Sequence, residues 1–323
     1  MKRFDVIALG ELLIDFTESG YSEQGNTLLE VNPGGAPCNV LAMLQNLGKK
    51  TAFIGKVGRD QFGRLLKQKI EAVGICAENL LMDSNVHTTL TFVKTLDNGD
   101  RDFSFCRNPG ADMMLKKNEI CTELIRDSKI FHYGTLSMTD SEAREATKFA
   151  IETAKEYRLL LSFDPNLRPP LWHSLEVAKE QICYGLANCN ILKISEEELE
   201  FVTGTNDIVE GVRQLREKYA ISLICVTAGE KGSLAFYKDI MVKQAAFLQE
   251  NTIETTGAGD TFGACVINFV LNHGLESLNK ELLQEMLRFA NAAASIITTR
   301  KGALAVMPTK EEVCALLRNN WPQ

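Results

Sequence analysis

No apolar run in the 323 residues approaches the ~20 needed to cross a bilayer. The opening "MKRFDVIALGELLIDF" has a short basic start, but Asp5 and Glu11 break its apolar segment and no small-residue cleavage site follows, so no export signal is expected. Nine cysteines form no C-x-x-C pair, which argues against a zinc site or a disulfide frame and for reduced thiols in a cytoplasmic protein. The histidines, at 87, 132, 173 and 273, are too dispersed for a metal cluster. Positive charge is in deficit, with 35 Lys and Arg against 42 Asp and Glu and a net charge of −7, so a nucleic-acid face is not expected. The phosphate loop G-x-x-x-x-G-K-[ST] occurs nowhere, and no repeat, low-complexity tract or composition break marks a second domain.

What is present is alternation. "FDVIAL", "TAFIGKV", "KIFHYGTL", "LLLSFDP", "NILKIS" and "LICVTAG" are short, apolar runs of the kind buried on both faces of a parallel sheet. Amphipathic patterns lie between them. "NVLAMLQNLG" puts Val40, Leu41, Leu44 and Leu47 on one stripe with Gly48 as its stop, and "DQFGRLLKQKIEAVG" runs from a capping Asp60 to Gly74. This spacing predicts a doubly wound α/β sheet with right-handed crossovers, one domain spanning 1–323. Two segments depart from it. The stretch 88–107 reads as a hairpin around Asn98-Gly99, and 17–33 is turn-rich and then extended. Together, over about 17–33 and 88–112, they are expected to form a small antiparallel lid or oligomer face.

The densest chemistry lies in "IETTGAGDTFGA", residues 253–264. Glycine-rich turns that open helices usually cradle phosphate on unpaired N–H groups, yet Asp260 beside such a cradle would repel that phosphate. Two readings stand open here. Asp260 caps the helix, or the N–H groups of 257–260 form an anion hole while Asp260 faces an acceptor alcohol and takes its proton. In "NPGGAPCNV", Gly34 and Gly35 let backbone approach a small ligand and Asn39 offers both donor and acceptor to a hydroxyl. Asp15 reads as the end of the first strand, near where α/β sheets bind ligands. "FDPNLRPPLW" sets Asp164, Asn166 and Arg168 past another strand end, and "SFCRNPGADMML" brings Arg107 and Asp112 after the hairpin. In "KISEEELEFVTG", Ser195 and Glu198 have capping-box spacing, and Glu196, Glu197 and Glu198 could hold Mg²⁺ through waters. A nicotinamide dehydrogenase is excluded, because the first strand leads into "GELLID" rather than a triple-glycine turn.

"GELLIDF", "GGAPCNVLAMLQNLGKKTAFIGKVGRDQFG", "VTAGEKGS" and "TTGAGDTF", in this order and spacing, resemble the ribokinase-like (PfkB) family of carbohydrate kinases over nearly the whole chain. "RNPGADMML" and "FDPNLRPPLW" are similar to its fructose-phosphorylating members. The resemblance implies a three-layer, mostly parallel sheet flanked by helices, closed by a small β-lid whose faces pair into a homodimer. It implies in-line transfer from ATP to the 6-hydroxyl of D-fructose, with Asp260 as general base and Gly257, Ala258 and Gly259 as anion hole. It places Asp15, Gly34, Gly35 and Asn39 on sugar hydroxyls, with Arg107 and Arg168 near the acceptor. Lys193, Thr227, Gly229, Gly232 and Asn291 would line the ATP site, and Glu198 would hold the magnesium waters. The chain departs from the family at Glu254, where an Asp is usual, and at Ser195 in the N-x-x-E motif. The first departure leaves a K⁺ site near 254–256 and 299–304 open; the second leaves Glu198 intact. A 2-keto-3-deoxygluconate kinase, a nucleoside kinase and a non-catalytic sugar-binding homologue are the alternatives.

Overall fold

The computed structural model describes residues 2–95 and 101–319. The chain begins with β1 (Phe4–Leu9), β2 (Leu13–Tyr21) and β3 (Thr27–Gly34), then α1 (Ala36–Asn46), β4 (Thr51–Gly58), α2 (Gln61–Ala72) and β5 (Cys76–Asp83). The strands β6 (Leu90–Thr95) and β7 (Arg101–Cys106) precede the short helix α3 (Thr122–Arg126), β8 (Ser128–Tyr133) and α4 (Ser141–Glu156). Next come β9 (Leu160–Phe163), α5 (Leu175–Ala187), β10 (Ile191–Ser195), α6 (Glu196–Thr203), α7 (Ile208–Lys218) and β11 (Leu223–Thr227). The chain closes with β12 (Ser233–Tyr237), β13 (Ile240–Gln244), α8 (Ala258–His273), α9 (Lys280–Ile297) and α10 (Lys310–Asn319).

All six apolar runs named from the sequence lie in one nine-stranded sheet, ordered β13-β12-β11-β10-β9-β8-β1-β4-β5. Its pairings are parallel from β11 to β5, and β12 and β13 turn back antiparallel at one edge. The alternation of β1 shows how the sheet divides the interior. Val6 and Ala8 join the core shared with α1, α8 and α9, while Ile7 and Leu9 join the opposite core beneath α4, α5 and α7. Val6, Ile7 and Leu9, fully withdrawn from water, each contribute roughly 1.5–3 kcal/mol. Continuous apolar strands follow from having helices on both faces.

The second sheet has the order β3-β2-β6-β7, with β2 and β6 parallel and both outer pairs antiparallel. This is the lid, although it begins earlier in the chain than 17 and its strands end at Cys106. Asp15 therefore does not end the first strand. β1 stops at Leu9, and Asp15 sits in lid strand β2 opposite Asn32. The Asn98-Gly99 turn lies outside the described residues. Among the described residues no helix is long and apolar enough to cross a membrane.

Candidate active site

A cavity of about 1110 Å³ opens between the inner face of the lid and the carboxyl ends of the sheet strands. This is where an α/β sheet exposes loop backbone and helix starts to a ligand. Leu13, Asp15, Thr17, Thr91, Val93 and Phe105 supply the lid wall. The opposite wall comes from the loop after β9, the ends of β10 and β11, the starts of α1 and α8, and residues 252–257. The volume exceeds that of one sugar and suits two ligands side by side.

Asp260 does not cap α8. The residue preceding the helix is Gly257, with φ 79°, a conformation glycine adopts without strain. The Asp260 carboxylate instead accepts a hydrogen bond from Asn39 Nδ2, 2.8 Å away across the site. Removal from water pushes the carboxyl up to about 6, and the neighbouring charge of Asp164 adds to the rise. The Asn39 hydrogen bond, Lys193 and Arg168 pull the other way. Ala258 N–H donates to the Thr255 carbonyl (3.2 Å), so within the expected anion hole it is not free. The next N–H groups, of Gly259 and Asp260, have no i−4 carbonyl within the helix. Gly259 lies against Lys193, whose Nζ would be 2.9 Å from a Cβ there.

The acceptor side is assembled by close backbone packing. A Cβ on Gly34 would strike the Asp15 carboxylate, and one on Gly35 would strike the Glu11 carbonyl. Gly35 also has φ 126°, which favours glycine, and it leads α1 into the site. Asn39, one turn into α1, is 4% exposed, and its Oδ1 has no hydrogen-bond partner among the described residues while bordering the cavity. Glu11 is a site residue that the sequence reading passed over. Its Oε1 accepts from Ala36 N–H (2.8 Å) and so stands in as the missing side-chain cap of α1. Burial pushes its carboxyl up to about 7, against the backbone N–H groups it accepts from. The available signal was a carboxylate inside the apolar run "LGELLID".

The two arginines part company. Arg168 is half-buried, borders the cavity and, among the described residues, donates to the adjacent Leu167 carbonyl (3.1 Å). Arg107, expected beside the acceptor, is sealed behind the wall. Its guanidinium is shared among Asp112 (2.8 and 2.7 Å), Thr139 Oγ1 (2.8 Å) and the Leu136 carbonyl (2.9 Å), so its charge is spent on holding that wall. On the other side, Lys193 Nζ pairs with Asp164 at 3.0 Å. Burial lowers the ammonium's pKa, but Asp164, Glu198 and Asp260 together outweigh it and hold the ammonium above its ordinary value.

Glu198 completes the expected capping box with Ser195 and is buried. Its two oxygens accept from Ser195 N–H (2.9 Å) and Leu167 N–H (2.7 Å), so the carboxylate also ties the Arg168 loop to α6. No group of three acidic, histidine or cysteine residues that could cage a metal occurs among the described residues. Thr227 borders the cavity, whereas Gly229, Gly232 and Asn291 are not among its walls. Asn291 Nδ2 donates to the Gln244 and Ala245 carbonyls (3.3 Å each), and its Oδ1 accepts from Ser233, which fixes the edge of the sheet beside Gly232. Glu254 Oε1 accepts from Gly302 N–H (2.8 Å), which brings together the segments 254–256 and 299–304.

The model of the pfkB family carbohydrate kinases matches residues 3–310. The chain is 40% identical over 315 residues to a probable fructokinase-2 of Arabidopsis thaliana, covering 97% of this chain and 95% of that protein. Its identity to fructokinase-2 of Solanum lycopersicum is also 40%, covering 97% and 96%. Among solved structures it is similar to a fructokinase of Xylella fastidiosa with bound ATP, at TM-score 0.86, 27% identity and coverage of 97% and 98%. A fructokinase of Vibrio cholerae O395 with fructose, ADP and potassium ion bound gives TM-score 0.87, 28% identity and coverage of 98% and 99%. Family match, full-length relatives and fold agree with the geometry of the site: the chain belongs to the pfkB family of carbohydrate kinases.

Proposed function

We propose that the protein transfers the γ-phosphoryl group of ATP to the 6-hydroxyl of D-fructose, with Asp260 as general base. The observation that carries this reading is the setting of Asp260, at the start of a helix, held by one amide and facing a cavity large enough for sugar and nucleotide. A carboxyl raised to about 6 is still ionised at neutral pH and is basic enough to take a proton as the acceptor oxygen attacks. Fructose as acceptor rests on the fructokinase names of the relatives and on the fructose-bound Vibrio structure.

In this reading Asp15, Gly34, Gly35 and Asn39 hold the sugar, and Asn39 also aims the Asp260 carboxylate. The N–H groups of Gly259 and Asp260 in the first turn of α8, which Gly257 turns into the site, meet the charge that develops on the transferring group. Arg168, bordering the cavity and without a carboxylate partner among the described residues, faces the same charge. The nucleotide would lie along Thr227 and residues 252–257, with Lys193 beside its phosphates and the Gly229, Gly232 and Asn291 region building its outer wall. The residues present fit a magnesium ion held largely by nucleotide phosphates and waters, with Glu198 and Glu197 at its outer edge; Mg-ATP then supplies the phosphoryl group. A K⁺ ion would belong where Glu254 meets Gly302. The exposed apolar face of the lid, with Leu29, Val31 and Phe92, is the proposed homodimer surface. Nine free cysteines, four of them buried, fit a reducing cytoplasm.

A carboxylate-bearing acceptor such as 2-keto-3-deoxygluconate is less well served, because Arg107 is committed to Asp112. The test is ADP release from MgATP with fructose, ribose, 2-keto-3-deoxygluconate, adenosine, inosine and no acceptor. Release with fructose is expected; release only with another acceptor would replace the sugar, and release with none would count against a kinase.

A further inference from the structure

The chain between β1 and β2 clamps the first turn of α1 at three points. A Cβ on Gly10 would strike the Pro37 ring, a Cβ on Gly35 would strike the Glu11 carbonyl, and the Glu11 carboxylate accepts from Ala36 N–H at 2.8 Å. The third contact replaces something the helix cannot supply for itself. The residue before a helix usually caps it with its own side-chain oxygen. Here that residue is Gly35, whose φ of 126° and close approach to the Glu11 backbone leave no room for a side chain. The cap therefore comes from 25 residues away in sequence, from a carboxylate only 3% exposed. The turn so fixed ends at Asn39, whose N–H donates to the Gly35 carbonyl (3.0 Å) and whose Nδ2 donates to Asp260 (2.8 Å). Glu11 is thus joined to Asp260 by one hydrogen bond, one helical turn and a second hydrogen bond. Around Glu11 stand Arg107 and Asp112 behind the cavity wall, Cys38 on α1, and His132 and Asp164 across a small cavity that Glu11 also lines. Around Asp260 stand Asp164, Lys193 and Arg168.

Resting on the reading of Asp260 as the base, we infer that Glu11 is a positioning residue whose carboxylate, by capping α1 from outside the helix, sets where Asn39 meets the Asp260 carboxylate. It acts through Asn39 rather than on the acceptor. Without the cap the Ala36 N–H seeks another partner and the turn shifts, which weakens the charge-assisted hydrogen bond at its far end. That bond favours the ionised form of Asp260, so the effect has a sign: Asp260 keeps its proton to higher pH.

The experiment compares Glu11→Leu and Glu11→Gln with the wild type. The Asp260 carboxyl is titrated by carboxyl-carbon NMR, its signal assigned as the one lost in Asp260→Asn. The acid limb of kcat/KM for fructose with MgATP is measured alongside. Leu removes both oxygens and is expected to raise the Asp260 pKa by about one pH unit, the order of a lost hydrogen bond to a charged group. Gln keeps an oxygen for Ala36 N–H and is expected to leave that pKa at the wild-type value. Gln also controls for charge, because losing a negative neighbour would lower the Asp260 pKa in both variants. Glu11→Ala, with less bulk to place, answers the same question if Leu does not fold. An unmoved Asp260 pKa in the folded variant that lacks the oxygens overturns the inference, even if that variant melts at a lower temperature, since Glu11 would then only stabilise the helix. A rise as large in Gln as in Leu overturns it too. If the Asp260 pKa rises in Leu while the kinetic limb stays in place, the reading of Asp260 as the base fails separately and the positioning role is upheld.

Discussion

Asp260 opposes its own ionisation, and the opposition has named sources. Desolvation is the larger and Asp164 the second, while Asn39, Lys193 and Arg168 pull back. A base with a pKa near 6 must lose its proton to act, so kcat/KM should fall by about tenfold per pH unit below that value and level off above it. Asp164→Asn removes a negative neighbour and frees the Lys193 ammonium that Asp164 now pairs with. Both changes lower the Asp260 pKa, so the acid limb of the pH profile should move to lower pH in this variant. A limb that stays in place would mean that some other group sets it. Part of this could be read from the sequence: Asp260, Asn39 and the glycines were visible in their motifs. The charge of Arg107 was visible too, but its burial against Asp112, Thr139 and Leu136 was not, because those contacts depend on how 107–112 packs against the start of α4.

At the scale of elements, sequence pattern and structure agree where the pattern is strong and local. The six apolar runs are strands of one sheet, Asp60 caps α2 by accepting from Gly63 N–H, and Ser195 with Glu198 forms the capping box. The hairpin strands on either side of Asn98-Gly99 pair as expected. Disagreement arises where the chain changes sheets. "GELLIDF" reads as a continuation of β1, but Gly10-Glu11 ends that strand and the next residues enter the lid, so Asp15 reaches the site from above. The antiparallel return of β12 and β13 and the register that sets Thr91 beside Asp15 are non-local pairings, which a one-dimensional pattern does not specify. Glu11 went unnoticed for a related reason: its partner, the Ala36 N–H, lies 25 residues away.

Across the whole molecule, two cores flank the large sheet, and the lid presents an apolar face to solvent. Val31, Phe16 and Phe92 stand abreast on its outer side, with Phe16 and Phe92 stacked at 5.1 Å. Val31 is 39% exposed and Phe92 38%. A self-complementary pairing of two such faces would bury them. The double variant Val31→Lys, Phe92→Lys should therefore sediment at half the wild-type mass; a monomeric wild type, or a variant of unchanged mass, would remove the lid from the interface. The inner face of the same sheet carries Asp15 and borders the cavity, so the proposed sugar contacts and the proposed dimer face lie on opposite sides of one element. The central claim, that Asp260 takes the proton from a sugar hydroxyl, is tested most directly by the turnover of Asp260→Asn with fructose and MgATP, with ATP binding measured in parallel. The account predicts unchanged ATP affinity and a kcat lower by on the order of 10²-fold or more, the usual worth of a positioned base. Near-full turnover in that variant would contradict it.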